Sequence, residues 1–280
     1  MYKCHACGKQ FIGGDRITPE QIWQEYLEGK QTLVQLSNKH SCSVRTIQRK
    51  LNQHKIEFAK KSARQVIILM DTTYWGRNFG VMLFKDGYTK ENLLKYYVKT
   101  ETNKLYKKGI AELISMGYEI SAIVCDGRRG LIQSFEKTPV QMCQFHQAAI
   151  VRRYITKNPR LPASIELKEL VRLMTITDKE SFEGALNNWH SKWNQFLKER
   201  TINPETGKSK YTHARLRSAY KSLKNNLPWL FTWYDHFDLN IPNTTNAIDG
   251  HFADLKNKLR NHNGLSKENK IKFIDGFLKV

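Results

Sequence analysis

The spacing of apolar residues changes twice along this chain. Between residues 17 and 56 they fall three or four apart: Ile22, Trp23, Tyr26 and Leu27, then Leu33 and Leu36, then Val44, Ile47 and Leu51. That is the stripe of short amphipathic helices. Thr18-Pro19-Glu20-Gln21 opens the first, with Thr18 as N-cap, Pro19 at N1 and Gln21 closing a capping box; Gly29 ends it. Thr32 opens the second, and Ser41-Cys42-Ser43 turns into a third capped by Ser43. The spacing predicts a helix-turn-helix unit over 17–56, with Lys60-Lys61-Ser62 as a linker.

From residue 64 the pattern becomes that of strands. Val66 to Met70 is an unbroken apolar run ending in Asp71, as in strands buried on both faces. Asn78–Phe84 and Leu93–Lys99 read as further strands, joined by a hairpin-type turn at Lys85-Asp86-Gly87. Helical spacing over 103–116 stops at Gly117. Ile120–Cys125 is a second buried strand, and it too ends in an acid, Asp126. After Gly127-Arg128-Arg129-Gly130 a short helix leads to a fifth strand at Val140–Cys143. Residues 147–240 return to helical spacing, broken by a loop near 202–210 and by Pro228, and a last helical region starts at Asn243. Trp189, His190 and Trp193 fall on helical faces as core residues. At the other end, Cys4-His5-Ala6-Cys7-Gly8 with a Gly13-Gly14 turn makes a small separate piece at 1–14.

Charge then narrows the partners. Lys and Arg number 46 against 26 Asp and Glu, a net +20 that suits a polyanion, nucleic acid first and an anionic membrane surface second. The longest apolar run has five residues, where a bilayer span needs about 20. Five unevenly spaced cysteines point to a reducing compartment rather than a disulfide scaffold. On the third helix, Arg45, Thr46, Gln48, Arg49 and Lys50 fall outside the apolar stripe and have side chains that reach phosphates and base edges. Any small three-helix packing unit would show the same stripe.

Two buried strands that each end in Asp are the most informative feature. Strand, strand, strand, helix, strand, helix, strand is the element order of a ribonuclease-H-like arrangement, in which the first and fourth strands are neighbours. Asp71 and Asp126 would then lie side by side. Close carboxylates repel unless cations sit between them, and oxygen ligands suit Mg²⁺. Two such ions can stabilise the attacking and leaving oxygens of a phosphoryl transfer. Each Asp alone reads equally as a turn residue. A third acid, Asp249, stands in Asn243-Thr244-Thr245-Asn246-Ala247-Ile248-Asp249, three residues after a good N-cap, Asn246. Arg128 and Arg129 beside Asp126 could hold a strand backbone or be solvated turn residues; Tyr74 and Trp75 could stack on a base or close a core. Cys4 and Cys7 supply two zinc thiolates, and Cys143 with His146 forms a CxxH pair that is either a second soft-ligand pair or a buried thiol beside an imidazole.

Together these blocks resemble the DDE transposases of the Mutator-like superfamily, the mutator-type insertion-sequence group in bacteria. The resemblance is carried by Met70-Asp71, Val124-Cys125-Asp126-Gly127, Cys143-Gln144-Phe145-His146 and the Asn243–Asp249 block. It implies an α/β ribonuclease-H-like catalytic domain over 64–280 with an all-α insertion at about 147–240, preceded by a half zinc ribbon and a helix-turn-helix. It further implies Asp71, Asp126 and Asp249 as ligands of Mg²⁺ or Mn²⁺, with strand nicking by water and strand transfer by the freed 3′-OH. The partners implied are duplex DNA with terminal inverted repeats and at least one further copy of the chain in a synaptic complex; the place, a bacterial cytoplasm beside the nucleoid. Two features depart from the family. Its third acid is typically Glu, and Asp254 is the nearest substitute for Asp249. Its zinc ribbon has a second CxxC, so either one precedes this chain or the knuckle binds no metal. Both departures keep open a decayed or repurposed transposase that only binds DNA.

Overall fold

The computed structural model describes residues 2–11, 17–58 and 61–280. The Gly13-Gly14 turn and Lys60 lie outside the described residues. The chain divides into two compact units, residues 1–60 with 251–280, and residues 61–250.

The first unit opens with a hairpin, β1 (Tyr2–Lys3) against β2 (Gln10–Phe11). Between them the Cys4 N–H donates to Lys9 O at 2.8 Å and the Gly8 N–H to Cys4 O at 2.9 Å. Gly8 takes φ +71°, the left-handed conformation this knuckle needs. Three helices follow, α1 (Pro19–Leu27), α2 (Leu33–Lys39) and α3 (Val44–Gln53). Thr18 caps α1, accepting the Gln21 N–H at 3.1 Å, but the Gln21 amide turns to Glu25 and leaves the expected box open. The box closes one helix later. There Thr32 N–H donates to Gln35 Oε1 at 2.8 Å and Gln35 N–H to Thr32 Oγ1 at 3.3 Å. Ser43 caps α3. Ile22, Leu36 and Ile47 are fully buried and hold the three helices together.

The second unit is built on β3 (Gln65–Tyr74), β4 (Gly80–Asp86), β5 (Asn92–Val98), α4 (Asn103–Ser115), β6 (Glu119–Cys125) and β7 (Val140–Met142). The strands form one sheet in the order β5-β4-β3-β6-β7. β3, β4 and β5 make an antiparallel meander, and β6 and β7 run parallel to β3. This mixed five-stranded sheet with flanking helices fits a ribonuclease-H-like α/β core in its strand order. Every residue from Val66 to Met70 is buried, as an apolar run in a central strand demands.

β3 does not end at Asp71, as the apolar run suggests. Its parallel pairing with β6 stops at Leu69↔Val124, while its antiparallel pairing with β4 continues to Tyr74↔Gly80. Asp71 therefore lies inside a strand, just where that strand loses one of its two neighbours. Asp86 likewise belongs to β4 rather than to the turn, and the short helix expected before β7 is a single 3-10 turn, Ile132–Ser134.

Helices α5 (Gln144–Ile155), α6 (Pro162–Leu173) and α7 (Lys179–Lys198) follow. The region near 202–210, read above as a loop, is a two-stranded hairpin of β8 (Arg200–Ile202) and β9 (Ser209–Tyr211). Arg200 and Arg217 both lie over the Tyr211 ring, at 4.5 and 3.7 Å from its centre. Pro228 stands inside α8 (Ala214–Leu230), near its last turn, instead of breaking it, and α9 (Thr232–Asp235) follows directly. Trp189 is buried with its Nε1–H donated to Ala163 O at 3.0 Å, and His190 stacks on Tyr220 at 4.4 Å.

α10 (Asn246–Arg260) and α11 (Lys267–Leu278) close the chain. Residues from His251 onward group with the first unit, not with the sheet domain expected to run to 280. The reason is apolar packing. The Tyr26 ring lies 4.0 Å from His262 and 5.7 Å from Phe273, and Lys258 pairs with Glu28 at 2.6 Å. Among the described residues, no helix is long and apolar enough to cross a membrane.

One contact fixes α4 on the sheet. A Cβ at Gly109 would stand 2.1 Å from Cζ of Phe84, which is fully buried. Gly109→Ala should therefore destabilise the protein, although Ala gains about 1 kcal/mol of helix propensity over Gly. Overpacking costs about 1–3 kcal/mol, so the melting temperature should fall by several degrees. A rise in melting temperature would show that α4 can shift to accept the methyl group.

Candidate active site

The site forms at the end of the sheet where β3, β6 and β7 finish their parallel run. Two residues beyond Leu69↔Val124, the β3–β6 register brings Asp71 level with Asp126. β7 leads through Cys143 into α5, whose first turn carries His146. The first turn of α10 carries Asp249. One ligand atom each of Asp71, His146 and Asp249 lie within 4.8 Å of one another, and among the described residues this is the one cluster of three or more such ligands. Asp126 lies outside that cluster but its charge is felt at Asp71.

The electrostatics follow from burial. Burial pushes the Asp71 carboxyl up to about 7, against the Thr72 N–H that donates to it at 2.7 Å; Asp249 and Asp126 push the same way and His146 opposes. The His146 imidazole is raised to about 9, first by its hydrogen bond to Cys143, against burial, and then by the charges of Cys143, Asp71 and Asp249. Burial raises the Cys143 thiol, but hydrogen bonds from His146 and Thr245 outweigh it and hold the thiol below its ordinary value. Cys143 and His146 are thus hydrogen-bonded to each other.

Among the described residues, none of Asp71, Asp126 or Asp249 has a Lys or Arg within ion-pair distance. Other acids are paired: Asp86 with Arg64 at 2.7 Å, Asp235 with Lys179 at 2.7 Å, Glu166 with Lys192 at 2.7 Å. A divalent cation fits this set. Two carboxylates suit Mg²⁺ and Mn²⁺, and an imidazole nitrogen favours the transition metal. Bound there, a cation would favour the charged form of Asp71 against the burial that holds it high.

The remaining predicted residues separate clearly. Asp126 Oδ1 accepts the Arg128 N–H at 3.2 Å, closing the turn. Arg128 donates to Asn103 Oδ1 at 2.7 Å and Glu101 O at 2.8 Å, so it fastens that turn to the start of α4. Arg129 is exposed. The Trp75 ring packs 5.9 Å from Phe79, which stacks on Tyr97. Asp254 stands apart from the cluster, 3.8 Å from Lys258. On α3, Arg45, Gln48 and Arg49 are exposed and Thr46 half-buried; with Ser43, Asn52 and Gln53 they line a polar hollow of about 660 Å³. Lys50 is a correction. It is buried, because it stands three residues after Ile47 and one before Leu51 on the inward stripe. At the knuckle, the Cys7 and Ala6 N–H groups hold the Cys4 thiol below its ordinary value, and no third ligand joins Cys4 and Cys7 among the described residues.

His146 reads in the sequence as half of a CxxH pair with Cys143, and the structure brings it to Asp71 and Asp249 as well. The signal was in the element order: parallel strands end on one side of a sheet, so a residue just after β7 lies at the same end as Asp126, where such sheets bind ligands.

No model of a known protein family matches the chain, and no curated protein matches its sequence. Among solved structures it is similar to the HTLV-2 integrase catalytic core domain in complex with magnesium, in a dimeric form. The identity is 13% and the TM-score 0.25, over 56% of this chain and 98% of that one. It is also similar to a simian T-cell lymphotropic virus intasome in complex with the PP2A regulatory subunit B56 gamma, at 11% identity and TM-score 0.25, over 74% and 66% of the two chains. Scores this low add nothing to the sheet order described above.

The raised carboxyl at Asp71 has a thermodynamic signature. Its folded-state value of about 7 stands above the ordinary value of 3.8, so the stability it contributes is present below about 3.8 and is lost as pH rises through about 7. With chelator present, Asp71→Asn should raise the melting temperature at pH 8, by roughly 2–4 °C for each kcal/mol recovered, and the gain should shrink toward pH 4. A gain independent of pH would mean that Asp71 is not the titrating group.

Proposed function

We propose that this chain is a DNA transposase that cuts and joins phosphodiester bonds at the ends of a mobile element. The observation that carries the reading is the cluster of Asp71, His146 and Asp249, whose acids have no Lys or Arg partner in a protein with 46 of them. Among the described residues none of Asp71, Asp126 and Asp249 has a Lys or Arg within ion-pair distance, and the basic group beside Asp71 and Asp249 is the imidazole of His146.

In this reading Asp71, Asp126 and Asp249 hold divalent cations, Mg²⁺ or Mn²⁺, with His146 as a further ligand to one of them. The ions supply Lewis-acid stabilisation of the attacking and leaving oxygens. The chain's own residues set where that happens. β3 fixes Asp71 in a strand paired to β4, the Asp126 turn is fastened through Arg128, and His146 and Asp249 come from the first turns of two helices. Arg45, Thr46, Gln48 and Arg49, exposed or half-exposed on α3 of the helix-turn-helix, are proposed to contact duplex DNA at terminal inverted repeats, with Arg129 a further backbone contact. A synaptic complex of at least two copies would hold both ends. The shorter acid at 249, where the resembled family has Glu, favours a second reading, a repurposed transposase that binds DNA without cutting it.

One experiment separates the two. Duplex DNA carrying the element ends is incubated with Mg²⁺ or Mn²⁺ and nicking is followed on a denaturing gel. Asp71→Asn and Asp126→Asn should each reduce nicking by more than the 10- to 100-fold typical of lost outer partners, with DNA affinity unchanged. Nicking that survives both substitutions sinks the transposase reading, and binding without any nicking selects the second one.

Salt provides a separate check on α3. Each phosphate contact steepens log K against log salt by about 0.9 on duplex DNA. Arg45→Ala and Arg49→Ala should each flatten the slope by about that amount, and slopes equal to wild type would remove α3 from the interface.

A further inference from the structure

Three parts of the site come from separate segments: Asp71 from β3, His146 from the start of α5, and Asp249 from the start of α10. One buried side chain touches both helical ones. Thr245 has no exposed surface. Its Oγ1 lies 3.2 Å from Asp249 Oδ2, 3.3 Å from Cys143 Sγ and 3.5 Å from His146 Nδ1. Its backbone joins the same segments. The Thr245 N–H donates to Cys143 Sγ at 3.3 Å, and Thr245 O accepts the N–H groups of Ile248 at 2.8 Å and Asp249 at 3.1 Å.

We propose that Thr245 is a positioning residue, whose hydroxyl sets Asp249 and His146 against each other as ligands of a shared divalent cation. This rests on the metal reading given under Proposed function. A hydroxyl has one proton to give and two lone pairs. Cys143 Sγ already receives the Thr245 N–H, and a carboxylate is the stronger acceptor. The Thr245 proton therefore goes to Asp249 Oδ2. The hydroxyl oxygen is then left to accept from His146 Nδ1–H, alongside the imidazole's hydrogen bond to Cys143, which leaves Nε2 to face the cation. Metal-bound histidines are commonly fixed in this way, through the nitrogen that does not touch the metal. Cys143 is the anchor, holding the Thr245 backbone at the end of β7.

Packing alone would make a different demand on this position, and two substitutions separate the roles. Thr245→Val keeps the volume and the branched shape but removes the hydroxyl. Thr245→Ser keeps the hydroxyl but removes the methyl group. The affinity of the full chain for Mn²⁺ is measured by electron paramagnetic resonance of the free ion, without DNA, alongside the melting temperature. Thr245→Val should weaken Mn²⁺ binding about 10- to 100-fold while Thr245→Ser stays within about threefold of wild type. The reverse order, or Thr245→Val binding as wild type does, overturns the proposal. If Thr245→Val does not fold, Thr245→Ser is compared with Thr245→Ala, which differ only in the hydroxyl; equal Mn²⁺ affinities overturn the proposal. Asp249→Asn distinguishes failure of the underlying reading. If wild-type protein binds no Mn²⁺, or binds it equally well after Asp249→Asn, the metal site itself is wrong and the role of Thr245 falls with it.

Discussion

Negative charge half-buried at the end of a sheet, with no Lys or Arg to meet it, is the constraint on which the larger unit depends. The contrast with Asp86 shows what is special about it. Asp86 is fully buried on β4, next to the strand that carries Asp71. Burial should raise it, yet the Tyr88 N–H at 2.8 Å and Arg64 at 2.7 Å hold it below the ordinary carboxylate value. Asp71 has one backbone donor and the imidazole of His146, and it is pushed up to about 7. The same sheet satisfies one carboxylate with a guanidinium and leaves the other to a single imidazole. A fold keeps such a group only where neighbouring packing outweighs its cost, and the five fully buried residues before Asp71 provide that packing.

That same strand explains what could be read in advance. Val66–Met70 and Ile120–Cys125 were legible as buried strands because nothing but a two-sided core tolerates such runs. The helix caps at Thr18, Thr32 and Ser43 were legible because local hydrogen bonds decide them. Other features were set by pairing across the sheet, which no local pattern reveals. Asp71 reads as a strand end because the apolar run stops there, but β4 keeps the strand going. Lys50 reads as outward because it is charged, but the helical stripe takes its stem inward. At the candidate site, the two strand acids stood out in the sequence. His146 stood out only as the partner of Cys143; that it meets Asp71 and Asp249 depends on which strand precedes it.

The grouping of residues 251–280 was hidden for a related reason. Tyr26, His262 and Phe273 are spaced as ordinary helix-core residues, and their spacing does not say which other helix they meet. The β8–β9 hairpin escaped because its two strands are three residues each and wholly exposed, too short for alternation to register. Two guanidiniums over one tyrosine ring help to hold it, contacts between residues up to 11 positions apart in sequence.

The shorter acid at 249 is the remaining point. An Asp reaches less far than a Glu, so it can join a site only if its backbone comes closer. The segment before it is drawn in at two places. The Gln144 N–H donates to Asn243 O at 3.0 Å, and Cys143 Sγ accepts from Thr245 N–H at 3.3 Å. Both partners stand at the junction of β7 and α5, one strand from Asp126. The chain thus starts α10 against the sheet end itself, and Asp249 comes within 4.8 Å of Asp71 and His146 without the extra methylene. Side-chain length and backbone approach are interchangeable here. The Cys143–His146 segment, through its hold on Asn243 and Thr245, supplies the approach.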